Sequence, residues 1–310
     1  MATPATPSVS DVLGVARKRR GEQVIKGLLF AAAVVSILTT TGIVISLLEE
    51  TINFLGDVPL GDFLFGTEWS PLFAEPAYGV LPLVTGTLLI TGIAILVAIP
   101  IGLGAAVYLA EYASPRVRRS VKPVLELLAG VPTIVFGYFA LLFVTPEVLK
   151  PIFGEPLQGF NALSAGVIMG FMVVPTIASI SEDAMSAVPA ALREGAFGLG
   201  ASKLQVSTRV VFPAALSGIV AAGVLGVSRA IGETMIVLIA AGQQPNLPGD
   251  PRQSGETMTT FIAATAKGDA AVGSIAYKTI FAVGALLFVM TLILNSISIR
   301  FVRKYRQVYE

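Results

Sequence analysis

The sequence contains no cysteine and no histidine. Disulfide stapling, a thiolate or imidazole metal site and a histidine proton relay are therefore excluded. Charge is scarce too: 13% of the 310 residues are Asp, Glu, Lys or Arg against 54% hydrophobic residues, with a mean hydropathy of +0.80. That balance excludes an ordinary soluble domain and identifies an integral membrane protein. Alternation of apolar and polar residues at a period of two is missing, which excludes barrel strands and leaves helices. A phosphate-cradling G-x-x-x-x-G-K-[ST] loop is absent as well; "GLGASK" at Gly198–Lys203 has the wrong spacing and follows no strand, so the chain is not itself a nucleotide-driven motor. The leading "MATPATPSVSDVLGVA" shows no secretory cleavage pattern and reads as a disordered tail.

Crossing the hydrocarbon core takes roughly 20 helical residues, and six uncharged or nearly uncharged runs reach that length. They lie between Lys26 and Glu49, within Pro76 to Ala110, from about Pro123 to Thr145, between Asn161 and Glu182, from about Val211 to Gly242, and between Lys278 and Arg300. The expected class is an all-α membrane protein: a tail over 1–23, a six-helix domain over 24–300 and a second tail over 301–310. Of the 21 basic residues, 16 fall in the N-terminal segment, the second and fourth connections and the C-terminal tail. By the positive-inside rule those regions, and both termini, are cytoplasmic. Pro100, Pro132 and Pro175 interrupt the spans and are expected to be kinks that shape packing.

Two opposite charges stand inside the fifth run, Arg229 and Glu233 in "SRAIGETMIV". On a continuous helix that spacing puts both on one face as an ion pair. A lone charge at mid-membrane costs at least about 2.5 to 3.5 kcal/mol, so pairing or water is required. The pair is either structural or a polar station on a transport pathway. Glu126 and Glu111 lie near span ends beside basic residues and read as surface-level partners, with Lys122 in helical reach of Glu126.

Between the fourth and fifth spans, residues 186–212 are too polar to span and too long for a turn. Pro189 suits a helix start, Gly200 the position after its end, and Ser202 the cap of a second short helix leading to Pro213. The result is a helix-turn-helix elbow on the cytoplasmic face. Glu194, Gly195, Ala196, Gly200, Val210, Phe212 and Pro213 resemble the cytoplasmic "EAA" loop of ABC importer permeases, with Gly195 and Phe212 as departures from the usual alanine and leucine.

The resemblance extends through "FLFGTEWSPLF", "YGVLPLVTGTLLITGIAILVAIPIGLGAAVYLAEYA", "LELLAGVPTIVFGY" and "SRAIGETMIV" to the phosphate-specific (Pst) ABC transporter permeases. "GETM" and "GTEWSP" are similar to the PstC-type subunit more than to its PstA-type partner. This resemblance implies a type I importer architecture and a pathway for inorganic phosphate shared with a PstA-like subunit. It also implies two ATPase subunits that hold the ATP and magnesium, since none is held by this chain, and a phosphate-binding protein on the outer face; no nucleic acid is involved. Arg229 and Glu233 then line the pathway, the guanidinium on phosphate oxygens and the carboxylate accepting the proton of hydrogenphosphate. The elbow residues Glu194, Gly195, Ala196, Gly200 and Pro213 engage the ATPase. Alternatives are a permease for another oxyanion such as sulfate or molybdate, a proton-driven secondary carrier using Glu233, and a scaffold without transport.

Overall fold

The computed structural model describes residues 20–305 apart from Pro248 and Asp269, so most of the expected N-terminal tail and half of the C-terminal one lie outside the described residues. Nearly everything described is helical. The chain divides into an N-terminal unit ending at Glu49 and a body from Glu50 onward. The first unit is the leading part of helix α1 (Arg20–Asp57), whose most apolar stretch is 0% buried by the chain itself. An apolar surface all round a helix suits a lipid environment.

The body continues with α2 (Leu60–Phe65), α3 (Leu81–Tyr112), α4 (Pro115–Ala129), α5 (Thr133–Phe153) and α6 (Ala162–Ser186). The elbow follows as α7 (Ala190–Gly198) and α8 (Lys203–Ala214). Then come α9 (Leu216–Ile231), α10 (Met235–Ala240), α11 (Met258–Lys267) and α12 (Ile275–Tyr305). Among the described residues α1, α3, α5, α6 and α12 are each long and apolar enough to cross a membrane; α8 with α9, bent by 71°, supplies a sixth span when counted as one.

Helix α6 is the central element. Its most apolar stretch is 67% buried, against 17% for α12. Small residues bring it close to α3: a Cβ added at Gly166 would lie 2.7 Å from that of Ile93, and one at Gly170 would lie 2.7 Å from that of Val97. Close van der Waals contact of this kind is what drives helices together in lipid, where no hydrophobic gain distinguishes protein from solvent. Proline 100 and Pro175 sit inside α3 and α6.

The third span differs from expectation. Residues Pro115–Ala129 form a separate helix with no buried residue, in which Arg116, Arg118, Arg119 and Lys122 alternate with apolar side chains. Pro132, with φ −57° and ψ 131°, stands in the break before α5, so it separates two helices and does not kink one. The span proper starts at Thr133 and runs to Phe153.

Helix α4 is tied down by a charge that the sequence marked only as a span end. Glu182, near the C-terminus of α6, is fully buried. Its carboxylate accepts from Arg118 and, at 2.9 Å, from Lys122, and Ser186 donates to it at 2.9 Å. Lys122 also binds Asp183; the hydrogen bonds it donates to Asp183 and Glu182 hold its pKa above the usual lysine value. The expected partnership of Lys122 with Glu126 is replaced by this one, because Glu126 points to solvent. The two cations are 38% and 28% exposed but the carboxylate only 1%, so the loss of either side is unequal. Arg118→Ala with Lys122→Ala strands a buried charge and is expected to lower stability by about 3–5 kcal/mol. Glu182→Gln leaves hydrated cations and lowers it by about 1–2 kcal/mol. Thermal unfolding of the detergent-purified complex checks the order; equal losses would contradict the burial argument.

Candidate functional site

The expected fifth span, Val211 to Gly242, is not one helix. It bends at Ala215 between α8 and α9, and it breaks again at Gly232, where α9 ends. Three residues later α10 starts afresh at Met235. A break in lipid exposes backbone groups that water cannot satisfy, at a cost of several kcal/mol each. Here the chain supplies the partner itself. Glu233 Oε1 accepts from the backbone N–H of Met235 at 3.0 Å and of Ile236 at 3.2 Å, capping α10. The carbonyl of Glu233 in turn accepts from Thr259 Oγ1 of α11 at 2.8 Å.

The expected ion pair between Arg229 and Glu233 is therefore absent: among the described residues no salt bridge joins them. The physical reason is the break between them, since the four-residue rule needs a continuous helix. Arg229, half-buried in the last turn of α9, instead donates from Nη1 to Thr176 Oγ1 at 3.0 Å and from Nη2 to the carbonyl of Ala129 at 3.4 Å. Both acceptors are neutral, so the guanidinium keeps its full charge uncompensated. The Ala129 carbonyl is exposed to Arg229 because α4 stops there.

Helix α10 is held against the start of α5 by a close approach at Gly137. A Cβ there would lie 3.1 Å from that of Ile239 and 3.2 Å from the Met235 carbonyl. Arg229, Glu233, Thr176 and the α4–α5 junction thus gather around one broken helix.

At the elbow the structure agrees with local sequence rules. Pro189 precedes α7 in an extended conformation. Gly200 has φ +81°, a left-handed value that a side chain strains. The Ser202 hydroxyl accepts from Gln205 N while Gln205 returns a bond to Ser202 N, a reciprocal cap. Glu194 is exposed and makes no ion pair or hydrogen bond among the described residues, and Gly195 faces open space. Ala196 packs on the buried cluster of Ala106, Met185, Val206 and Val211. Pro213 lies in the last turn of α8, before the bend. Leu199 is 91% exposed and Leu204 64%.

Sequence reasoning missed the residue that fixes the elbow. Arg193 donates to Glu111 Oε1 at 3.0 and 3.2 Å and to the carbonyls of Met185 and Val188. One guanidinium thereby joins α3, the end of α6 and α7, and Glu111 is an anchor more than a surface charge.

Because Glu233 caps α10 through one oxygen, Glu233→Gln retains an acceptor and should fold with the stability of the native chain. Glu233→Ala removes the cap and is expected to cost about 1 kcal/mol. Melting temperatures of the two purified complexes test this; equal behaviour of Gln and Ala would remove the capping role.

Residues 98–307 match the family described as "Binding-protein-dependent transport system inner membrane component". The chain is 33% identical over 306 residues to the "Probable ABC transporter permease protein YqgH" of Bacillus subtilis (strain 168), covering 97% of both chains. It is 38% identical over 269 residues to the "Phosphate transport system permease protein PstC 1" of Mycobacterium tuberculosis, covering 75% of this chain and 79% of that one. Among solved structures, a chain of the bacterial alginate ABC transporter in complex with its alginate-bound periplasmic protein superposes with a TM-score of 0.68 at 16% identity, over 95% of this chain and 99% of that one. That likeness is one of fold. With five or six helical spans among the described residues, a broken fifth span and a helix-turn-helix elbow, the chain belongs to the binding-protein-dependent inner membrane components: it is a multi-pass permease subunit of an ABC importer, without the motor.

Proposed function

We propose that this permease forms one half of a pathway for inorganic phosphate, with Arg229 and Glu233 as its polar station. The observation that carries this reading is the unneutralised guanidinium. Among the described residues Arg229 is held in a membrane span by a hydroxyl and a carbonyl, both neutral, and a guanidinium so placed suits an oxyanion, since charges inside a membrane are paired with counter-charges. Its planar fork matches two phosphate oxygens. Glu233 spends Oε1 on the α10 cap, and Oε2 has no partner among the described residues. That free oxygen accepts the proton of hydrogenphosphate, a proton that sulfate lacks at neutral pH.

The names of relatives such as the mycobacterial PstC 1 protein support phosphate as the cargo. The basic connections 114–122 and 186–212 support a cytoplasmic elbow that meets the ATPase pair. The exposed Leu199 and Leu204 then enter the motor, and Glu194 and Gly195 lie on the same free surface. A second permease subunit of the PstA type covers the open side of the broken helix, and a phosphate-binding protein delivers from the opposite end.

Uptake of labelled phosphate by cells lacking and regaining this chain tests the reading. Arg229→Gln loses charge-assisted hydrogen bonds worth about 1.5–3 kcal/mol, so uptake should fall roughly ten- to hundredfold in an assembled complex. Sulfate in excess should not compete. Wild-type uptake by Arg229→Gln, or competition by sulfate, would overturn the assignment. Gly200→Val forces a β-branched residue to positive φ and should uncouple ATP hydrolysis from phosphate while the complex still assembles; unchanged coupling would remove the elbow from the motor contact.

A further inference from the structure

The tetrapeptide Gly-Glu-Thr-Met occurs twice, at Gly232–Met235 and Gly255–Met258, each time followed after a short gap by Ile-Ala-Ala. Each copy starts a helix, but the glutamates do different work. In the first, Glu233 is the cap. In the second, Thr257 caps α11 in a reciprocal arrangement with Thr260, which leaves the Glu256 carboxyl unemployed.

The Glu256 backbone is firmly placed. A Cβ at Gly86 of α3 would lie 2.1 Å from its carbonyl oxygen, and Met258 N donates to the buried Thr87 hydroxyl at 3.0 Å. Its side chain lines a cavity of about 590 Å³ at the end of the body opposite the elbow. Glu256 is 6% exposed, and among the described residues its carboxyl has no hydrogen bond or ion pair. Trp69 walls the same cavity, and its indole N–H is buried without a partner among the described residues. The ring itself is fixed edge-on by Phe261, with centroids 4.9 Å apart. A carboxyl without a partner among the described residues, on a floor fixed by these contacts, marks a site built for an incoming group.

The chemistry of that group follows from charge. Among the described residues no basic side chain lines the cavity. The connection above it, residues 50–79, carries Glu50, Asp57, Asp62, Glu68 and Glu75 and no lysine or arginine. An anion is repelled there, whereas a cation on a long apolar stem fits: Leu72 and Phe73, 58% and 75% exposed, form an apolar lip over the polar floor. We propose that the Trp69–Glu256 cavity receives a lysine or arginine side chain of the substrate-binding protein, with Glu256 as its counter-charge. The proposal rests on the reading that a binding protein docks at the end opposite the elbow.

Burial pushes the Glu256 carboxyl up to about 8, with desolvation as the cause. The charged groups on the elements around it are engaged elsewhere or exposed: Lys278 pairs with Asp57 and Arg252 with Asp250, while Glu68, Glu75 and Lys267 face solvent; Tyr277 lies on α12 and Asp269 falls outside the described residues. Docking a cation requires the ionised form, so affinity should rise roughly tenfold between pH 7 and 9 as the cost of removing the proton disappears.

The experiment is binding of the purified binding protein to the reconstituted importer, wild type against Glu256→Gln and Trp69→Phe, from pH 7 to 9, with basal ATPase activity as the control for assembly. Glutamine matches the protonated acid in shape, so that variant should assemble normally. The expected result is binding at least tenfold weaker for Glu256→Gln at pH 9, a lost pH dependence, and a smaller loss for Trp69→Phe. Unaltered affinity and pH profile in Glu256→Gln would overturn the cavity's role while leaving docking intact. No binding to the wild-type importer at all would overturn the docking reading, and the proposal with it.

Discussion

A helix broken inside a membrane must find hydrogen-bond partners within the protein, because lipid offers none. This constraint governs the region between Ala215 and Ala240. Where α9 ends at Gly232, the backbone N–H groups that begin α10 are met by the Glu233 carboxylate. Thr259 reaches from α11 to the Glu233 carbonyl, and Gly137 lets α5 lie close against α10. The break is therefore stabilised by a side-chain acceptor drawn into the span. Arg229 and Glu233 stand on opposite sides of this break, and among the described residues the arginine has no counter-charge, so the lost ion pair and the capped helix have one origin.

The path from elbow to arginine is short and stiff. Arg193 fastens α7 to Glu111 of α3 and to the last carbonyls of α6. Helix α8 packs Val206 and Val211 into the same cluster as Met185 and Ile219, then turns through 71° into α9, whose last turn carries Arg229. On the other side of α6, Glu182 gathers Arg118 and Lys122 of α4, and α4 ends at the Ala129 carbonyl that touches Arg229. Both routes begin at the cytoplasm-proposed face and meet at one guanidinium. A displacement of the elbow thus has two mechanical connections to the site, one through the bend and one through α4.

The elbow was legible because its signals are local: Pro189, Gly200 and Ser202 each act within a few residues, and the structure places each at the expected cap or turn. Hydropathy likewise located the long spans. It erred where an apolar run is continuous in composition but not in backbone. Val211 to Gly242 reads as one span because neither Gly232 nor Thr234 forbids a helix; what ends it is the Glu233 cap, a tertiary arrangement completed by Thr259. The run from Pro123 failed for the opposite reason: Pro132 was a visible breaker, but it was read as a kink. Glu182 and Thr176 were beyond reach, since their partners Arg118 and Arg229 lie far away in sequence.

The two Gly-Glu-Thr-Met copies show how little sequence separates a structural from an available carboxylate. Both begin a helix, and both need an acceptor for the first N–H groups. After the first copy the residues are Ile-Val-Leu, which offer none, and Glu233 must cap. After the second they are Thr-Thr-Phe, so the Thr257 and Thr260 hydroxyls complete the cap between them. Threonine at 260 is thus what releases Glu256 from backbone duty and leaves its carboxyl in the cavity beside Trp69. The difference between the repeats lies outside the repeated motif.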